Sequence, residues 1–185
     1  MSARLIDVHT HAQFAAFEKD QDAVIRRALD AGIWMINVGT QRDTSANSRE
    51  LAHKYDGVFA TVGLHPIHTE RSYHDAQELG ASEKAKGFTS RGEEFDYDFY
   101  KKLADDPKVV AIGECGLDYY RITQHETGNI KQKKAFQAQI KLASEIKKPL
   151  MIHCRDAFKD LIEMLYASRS MLHDLNPGIC HFFTG

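Results

Sequence analysis

Short apolar runs, many of them β-branched, alternate along this chain with longer stretches that carry a helical apolar spacing. The runs that predict strands are residues 5–8, 33–38, 58–62, 109–112, 150–152 and 179–180. They are mostly apolar and do not alternate strictly with polar residues, which is typical of parallel strands covered on both faces. The pattern therefore predicts an α/β fold with a mostly parallel sheet.

The stretches between the runs predict amphipathic helices. Residues at helical spacing are Val24, Ile25, Ala28 and Leu29, then Phe136, Ile140 and Ala143, and finally Phe158, Leu161, Ile162 and Leu165. Gly32 is a plausible C-terminal cap of the first helix. Residues 66–96 are polar and predict a long loop with a short helix. Strand–helix alternation of this kind implies right-handed crossovers within a single domain over residues 1–185.

Polar residues with metal-binding chemistry follow these predicted strands. The chain has 10 histidines, and five stand at or just beyond the end of a run: His9, His11, His65, His153 and His181. Glu114 holds the same position after the fourth run. The carboxyl ends of parallel strands open on one face of the sheet, so these side chains are expected to converge.

This set predicts a site for two divalent cations. His9 and His11 are two apart, so on a strand both rings point to one side and suit one ion. The carboxylate of Glu114 could bridge two ions, and His153 and His181 would complete the second. Two cations about 3.5–4 Å apart are a common device for splitting phosphate esters. A lone histidine at a strand end is more often structural, so the prediction rests on the whole set.

Four further residues have a functional and a structural interpretation. Arg155 could bind a phosphate bidentately or form a plain salt bridge. His65, followed by Pro66, could touch substrate or shape a turn. Asp118 could orient a ligand or cap a helix. Asp7 could support a ligand or be a polar residue of the core.

Composition limits the partners and the compartment. A net charge of −2 and a pI of about 6.5 argue against a broad basic face for gripping duplex nucleic acid. The three cysteines, Cys115, Cys154 and Cys180, form no CxxC pair and are predicted to be buried packing residues in a reducing compartment. We find no apolar run of membrane-spanning length and no signal peptide, so the expected location is the cytoplasm.

The motifs resemble those of the TatD family of metal-dependent hydrolases, whose best-known members are DNases. Residues 7–11 (DVHTH) look like its opening DxHxH, 63–66 (GLHP) like its GxHP turn, and 113–119 (GECGLDY) like its GExGLDY. Residues 153–155 (HCR) and 181–185 (HFFTG) are similar to its HxR and HxFxG. Gln132, Phe136 and Gln139 fall where the family reads QxxxFxxQ.

The resemblance implies a (β/α)₈ TIM-type barrel, two divalent cations and hydrolysis of phosphodiester bonds at DNA ends. His9, His11 and Glu114 would hold the first ion, and Glu114, His153 and His181 the second. His65 and Arg155 would face the scissile phosphate. Histidine ligation favours Zn²⁺, Ni²⁺ or Mn²⁺, whereas phosphoryl chemistry also suits Mg²⁺.

The resemblance also implies further strands and a further catalytic residue beyond residue 185. A barrel of this type has about 250 residues and eight strands, and only six are predicted here. The family's water-activating aspartate would lie beyond Gly185. We therefore expect this chain alone to be catalytically weak and to self-associate through open sheet edges. Two alternatives stay open: a metal-dependent deacylase or amidase, and a non-catalytic metal-binding fragment.

Overall fold

Six parallel strands form one sheet whose spatial order follows the chain. A computed structural model describes residues 3–71, 73–74, 88–120, 126–174 and 177–181. The strands are β1 (Leu5–Thr10), β2 (Ile33–Val38), β3 (Val58–Val62), β4 (Val109–Asp118), β5 (Leu150–Arg155) and β6 (Ile179–Cys180). The helices are α1 (Gln21–Asp30), α2 (Arg42–Lys54), α3 (Tyr97–Ala104), α4 (Glu126–Ile146), α5 (Phe158–Ala167) and α6 (Arg169–Leu172).

The sheet is strongly curled. The ring of His9 on β1 stacks on the ring of His181, directly after β6, with centroids 4.0 Å apart. In a flat sheet the first and sixth strands would be roughly 24 Å apart, because neighbouring strands are spaced by about 4.8 Å. The six strands therefore form a half-barrel with helices between them. This confirms the predicted barrel-type α/β fold.

The helices bury most of the faces that the apolar spacing predicts. Ile25 of α1 and Phe136, Ile140 and Ala143 of α4 are fully buried against the sheet. Helix α1 ends where predicted, because Gly32 takes a positive φ of 75° that a side chain would disfavour.

In α5 the prediction is partly wrong. Leu161 is buried, but Ile162 is 63% exposed. Neighbouring helical residues point about 100° apart, so a narrow contact with the sheet buries one of them and leaves the other outside.

Strand β4 is longer than predicted. Its ladder with β5 slips between Ile112 and Cys115, and the strand continues to Asp118. A Cβ atom at Gly113 would lie 2.3 Å from the Met151 carbonyl oxygen, and one at Gly116 would lie 2.0 Å from that of His153. Only glycine allows this approach of the two backbones. Glu114 thus lies within the strand and not beyond its end.

Two further expectations need correction. Residues 66–96 contain the predicted short helix, Pro66–Thr69, but also an unpredicted antiparallel pair, Tyr73–His74 with Phe88–Thr89. Residues 72 and 75–87 lie outside the described part. The strands are not all covered on both faces, since Leu5 and Ile6 of β1 are 57% and 53% exposed. Within the described residues, no helix has the length and hydropathy needed to cross a membrane.

Candidate metal centre

A buried carboxylate stands at the middle of the converging histidines. Glu114 is 3% exposed. Its Oε1 lies 2.5 Å from His181 Nε2, 3.1 Å from His153 Nδ1 and 3.3 Å from His65 Nε2. Its Oε2 lies 3.5 Å from His9 Nε2. The two oxygens of one carboxylate therefore face different groups of imidazoles.

The imidazoles hold Glu114 in its charged form. Burial alone would raise the pKa of Glu114, but the electrostatic interaction with His65 and hydrogen bonds from His153 and His181 lower it well below its usual range. A buried carboxylate needs such partners, because an unpaired charge in the interior is very costly. The centre therefore presents a negative charge surrounded by nitrogen atoms.

The hydrogen bonding of His11 fixes which of its ring nitrogens is free. Its Nδ1 is 3.0 Å from the carbonyl oxygen of Val38. A carbonyl only accepts, so Nδ1 carries the proton and Nε2 keeps a lone pair. That Nε2 lies 3.2 Å from His9 Nε2. Burial lowers the pKa of His11 to about 4, so the ring is neutral near pH 7.

His153 is oriented in the same manner by a carboxylate. Its Nε2 is 2.9 Å from Asp118 Oδ2, so Nε2 donates and Nδ1 faces Glu114. Burial alone would lower the pKa of His153, but the hydrogen bonds to Asp118 and Glu114 raise it to about 9. Of the two interpretations of Asp118, orienting a predicted ligand is therefore the one that its contacts support.

His65 differs from the other two. Its Nδ1 accepts a hydrogen bond from the backbone N–H of Ile67, 3.2 Å away, at the start of the 3₁₀ helix. Its Nε2 therefore carries the proton and points at Glu114. Burial lowers the pKa of His65, which favours this neutral form. The turn role of His65 is confirmed, and its contact with substrate stays a prediction.

This donor set fits divalent cations. His9, Glu114 and His181 offer ligand atoms that all lie within 4.8 Å of one another, as do His65, Glu114 and His153. Buried His9 Nδ1 has no hydrogen-bond partner among the described residues. Imidazole nitrogens next to a charged carboxylate are ligands that zinc, nickel and manganese accept, and an ion bound at Nδ1 of His153 would replace the proton there.

The remaining candidates lie around this centre. The guanidinium of Arg155 stacks 3.4 Å above the ring of Tyr120, so its contact with a phosphate stays a prediction. Asp7 is exposed and not in the core, and its carboxylate accepts the backbone N–H of His9 at 3.2 Å.

The cysteines are only partly as predicted. Cys115 and Cys154 are buried and free, but Cys180 is exposed. Cys180 lies on β6, a two-residue strand at the edge of the sheet, where little of the described chain covers it.

The family model for TatD-related DNases matches residues 6–185. The chain belongs to this family. The 3'-5' ssDNA/RNA exonucleases TatD of Shigella flexneri and Erwinia billingiae are 33% and 35% identical to it over 98% of its length. The chain spans 60% of the length of either relative.

Solved structures of the TatD family share the fold. YJJV, a TatD homologue from Escherichia coli, is 28% identical with a TM-score of 0.71, and the match covers all of this chain and 62% of that one. A hydrolase of the TatD family from Entamoeba histolytica, 22% identical, has a TM-score of 0.70 over 100% of this chain and 60% of its own. The half-barrel described above is therefore part of a TatD-type barrel architecture.

Proposed function

We propose that this TatD-type chain carries most of a two-metal centre that hydrolyses phosphodiester bonds at the ends of single-stranded nucleic acid. The observation that carries the proposal is the arrangement around Glu114. One carboxylate, almost completely buried, turns Oε2 towards His9 and Oε1 towards His153 and His181. A bridge between two cations requires such an arrangement of a single side chain.

We assign His9, His11 and Glu114 to the first ion, and Glu114, His153 and His181 to the second. Mutual distance alone would instead group His181 with His9, and His65 with His153. We favour the assignment of His153 and His181 to the same ion, because both approach Oε1, and more closely than His9 approaches Oε2. His65 is left out because its Nδ1 accepts from the backbone N–H of Ile67, so the Nε2 that faces Glu114 must keep its proton. The Nδ1 of His153 can lose its proton, because Nε2 of that ring donates to Asp118.

The protein groups around the ions would then have separate tasks. When bound, two such cations activate a water molecule and neutralise charge on the phosphoryl oxygens. Asp118 accepts a hydrogen bond from Nε2 of His153, so that Nδ1 is the nitrogen that faces Glu114 and would bind the ion. The His65 N–H and the Arg155 guanidinium would hold the scissile phosphate, because both are donors and a guanidinium matches two phosphate oxygens. We propose further that the aspartate which the resemblance places beyond Gly185 joins His9 and His11.

The substrate class follows from charge and from the relatives. A net charge of −2 provides little long-range attraction for duplex DNA. The TatD relatives are named 3'-5' ssDNA/RNA exonucleases. We therefore propose single-stranded 3′ ends of DNA or RNA as the substrate. Either Mn²⁺ or Mg²⁺ would suit the chemistry, and Zn²⁺ or Ni²⁺ would suit the histidines.

The deciding experiment compares two histidine variants in the complete protein. We expect His153→Ala to lose hydrolysis of a labelled single-stranded oligonucleotide and one bound ion. His53→Ala is the matched control, because His53 pairs with Asp106 on the exposed surface at 2.7 Å and not with Glu114. This control variant should keep its hydrolytic activity and both bound ions. If the wild-type protein releases acyl groups from acylated substrates but no nucleotides from the oligonucleotide, the result would favour the deacylase interpretation. Metal binding without either activity would indicate a non-catalytic role.

The edge strand supports the proposal that residues 1–185 alone self-associate. Leu5, Ile6 and Val8 on β1 are exposed, and an edge strand presents unpaired N–H and C=O groups. We expect this polypeptide to elute as dimers or larger species at concentrations where an extended chain is monomeric. A concentration-independent monomer would overturn this proposal. We also expect residues 1–185 alone to hydrolyse the oligonucleotide about 10²–10⁴-fold more slowly than the extended chain. A positioned acid–base group, here the aspartate that the resemblance places beyond Gly185, typically contributes that much to the rate.

A further inference from the structure

Helix α4 carries two buried glutamines that its packing does not require. Gln132 and Gln139 are both 0% exposed, although α4 already packs through Phe136 and Ile140. They are seven residues apart, which is two turns, so both lie on the face turned to the sheet. Burying an amide is unfavourable unless its hydrogen bonds are made. Two such amides on one apolar face therefore need an explanation from what they contact.

Each glutamine makes the same pair of bonds to one backbone residue. Gln139 Oε1 accepts from the N–H of Leu64 at 2.9 Å, and its Nε2 donates to the carbonyl of Leu64 at 3.0 Å. Gln132 Oε1 accepts from the N–H of Asp118, and its Nε2 donates to the carbonyl of Asp118, both at 2.9 Å. Each amide thus fixes the peptide groups on both sides of one residue.

The two residues held in this way border the metal centre. Leu64 immediately precedes His65, whose Nε2 faces Glu114 at 3.3 Å. Asp118 accepts the hydrogen bond that orients His153. A single helix therefore fixes the ends of two different strand segments relative to each other.

We infer that Gln132 and Gln139 are positioning residues for the metal centre: Gln132 sets His153 through Asp118, and Gln139 sets His65 through Leu64. The inference rests on the proposed function, because it assumes that these histidines serve the metal-bearing centre. The hydrogen bonds of both amides go to backbone groups and not to Glu114 or a histidine, so each acts only through a backbone. Each glutamine should consequently affect its own histidine and leave the other nearly unchanged.

The first test uses the imidazole ¹⁵N signals of the metal-free chain. Gln132→Met keeps the length of the side chain and removes both hydrogen bonds. It should shift or broaden the ring signals of His153 and spare those of His65, and Gln139→Met should do the reverse. Gln137→Met is the matched control, because Gln137 lies on the same helix and bonds Ser168, away from the centre. Equal changes at both rings, or no change at either, would overturn the inference.

The second test is a titration with Zn²⁺. Groups that orient metal ligands typically alter metal affinity by about 10–100-fold, so Gln132→Met should raise the Kd of one ion at least about tenfold. Leu142→Ala controls for lost stability, since Leu142 is fully buried on α4 and has no bond to the centre. If Gln132→Met does not fold, Gln132→Asn replaces it, because that shorter, uncharged amide cannot reach both the N–H and the carbonyl of Asp118 as Gln132 does.

The outcomes separate this inference from the proposed function. If the wild-type protein binds two ions and Gln132→Met binds them with the same affinity, the positioning role alone is overturned. Wild-type protein that binds no Zn²⁺ overturns the proposed two-metal function, while the crossed ¹⁵N pattern would still establish the positioning of the two rings.

Discussion

The two sides of Glu114 are held by different parts of the molecule. On the β3–β5 side, His153 is fixed by Asp118, and that aspartate is fixed by Gln132 of α4. On the β1 side, His11 is held by the carbonyl of Val38, and His9 Nδ1 has no partner in the described residues. Groups held before a ligand arrives lose less entropy on binding it. We therefore expect the second ion to bind more tightly than the first.

The strongest test removes the residue that both sides share. Glu114→Gln keeps the shape but removes the charge, so affinity for both ions should fall by more than about 100-fold, beyond the range typical of groups that only orient ligands. Calorimetric titration with Zn²⁺ measures this. The control is Glu145→Gln, because Glu145 pairs with Lys101 on the exposed side of α4. Two ions retained at wild-type affinity would rule out the bridge.

Removing one histidine from each side should separate the two ions. His181→Ala is expected to lose the second ion and keep the first, because His181 faces Oε1. His11→Ala should lose the first and keep the second. The stoichiometry of bound metal after gel filtration, measured by atomic emission, distinguishes them. Loss of both ions in either variant would mean that the two sides form one inseparable site.

A smaller effect is expected from the carboxylate behind His153. Asp118→Asn weakens the acceptor that orients the ring of His153, so the Kd of the second ion should rise by about tenfold while that of the first is unaffected. Asp106→Asn is a matched change, since Asp106 pairs with His53 far from the centre. An Asp118→Asn protein that binds the second ion like wild type would show that Asp118 does not orient His153.

The smallest effect is expected on the other side, at Asp7. Its carboxylate accepts only the backbone N–H of His9, and the amide oxygen of Asp7→Asn can accept the same bond. Metal affinity should stay within the error of the titration. A clear loss of the first ion in this variant would show that the β1 side depends on Asp7, and would remove the contrast between the two sides.

Periodicity and motif spacing predicted much of this molecule. The six strands of the parallel sheet and the convergence of His9, His11, His153 and His181 follow from where apolar runs end in such a sheet. Glu114 joins them from within β4, and the short antiparallel pair was not predicted. The family follows from the motifs and is shown by the match over residues 6–185. These features are encoded locally, since each depends on neighbouring residues and on a rule common to all such sheets.

Tertiary contacts decided the rest. The extension of β4 to Asp118 depends on how closely two backbones approach at Gly113 and Gly116, and that approach involves β5. The pairing of Asp118 with His153 joins positions 35 apart, and that of Gln139 with Leu64 joins positions 75 apart. A hydrogen bond between such distant positions leaves no periodic signal in the chain. The sequence by itself thus determined which groups meet at the centre, and only the folded packing determined which nitrogen each histidine presents there.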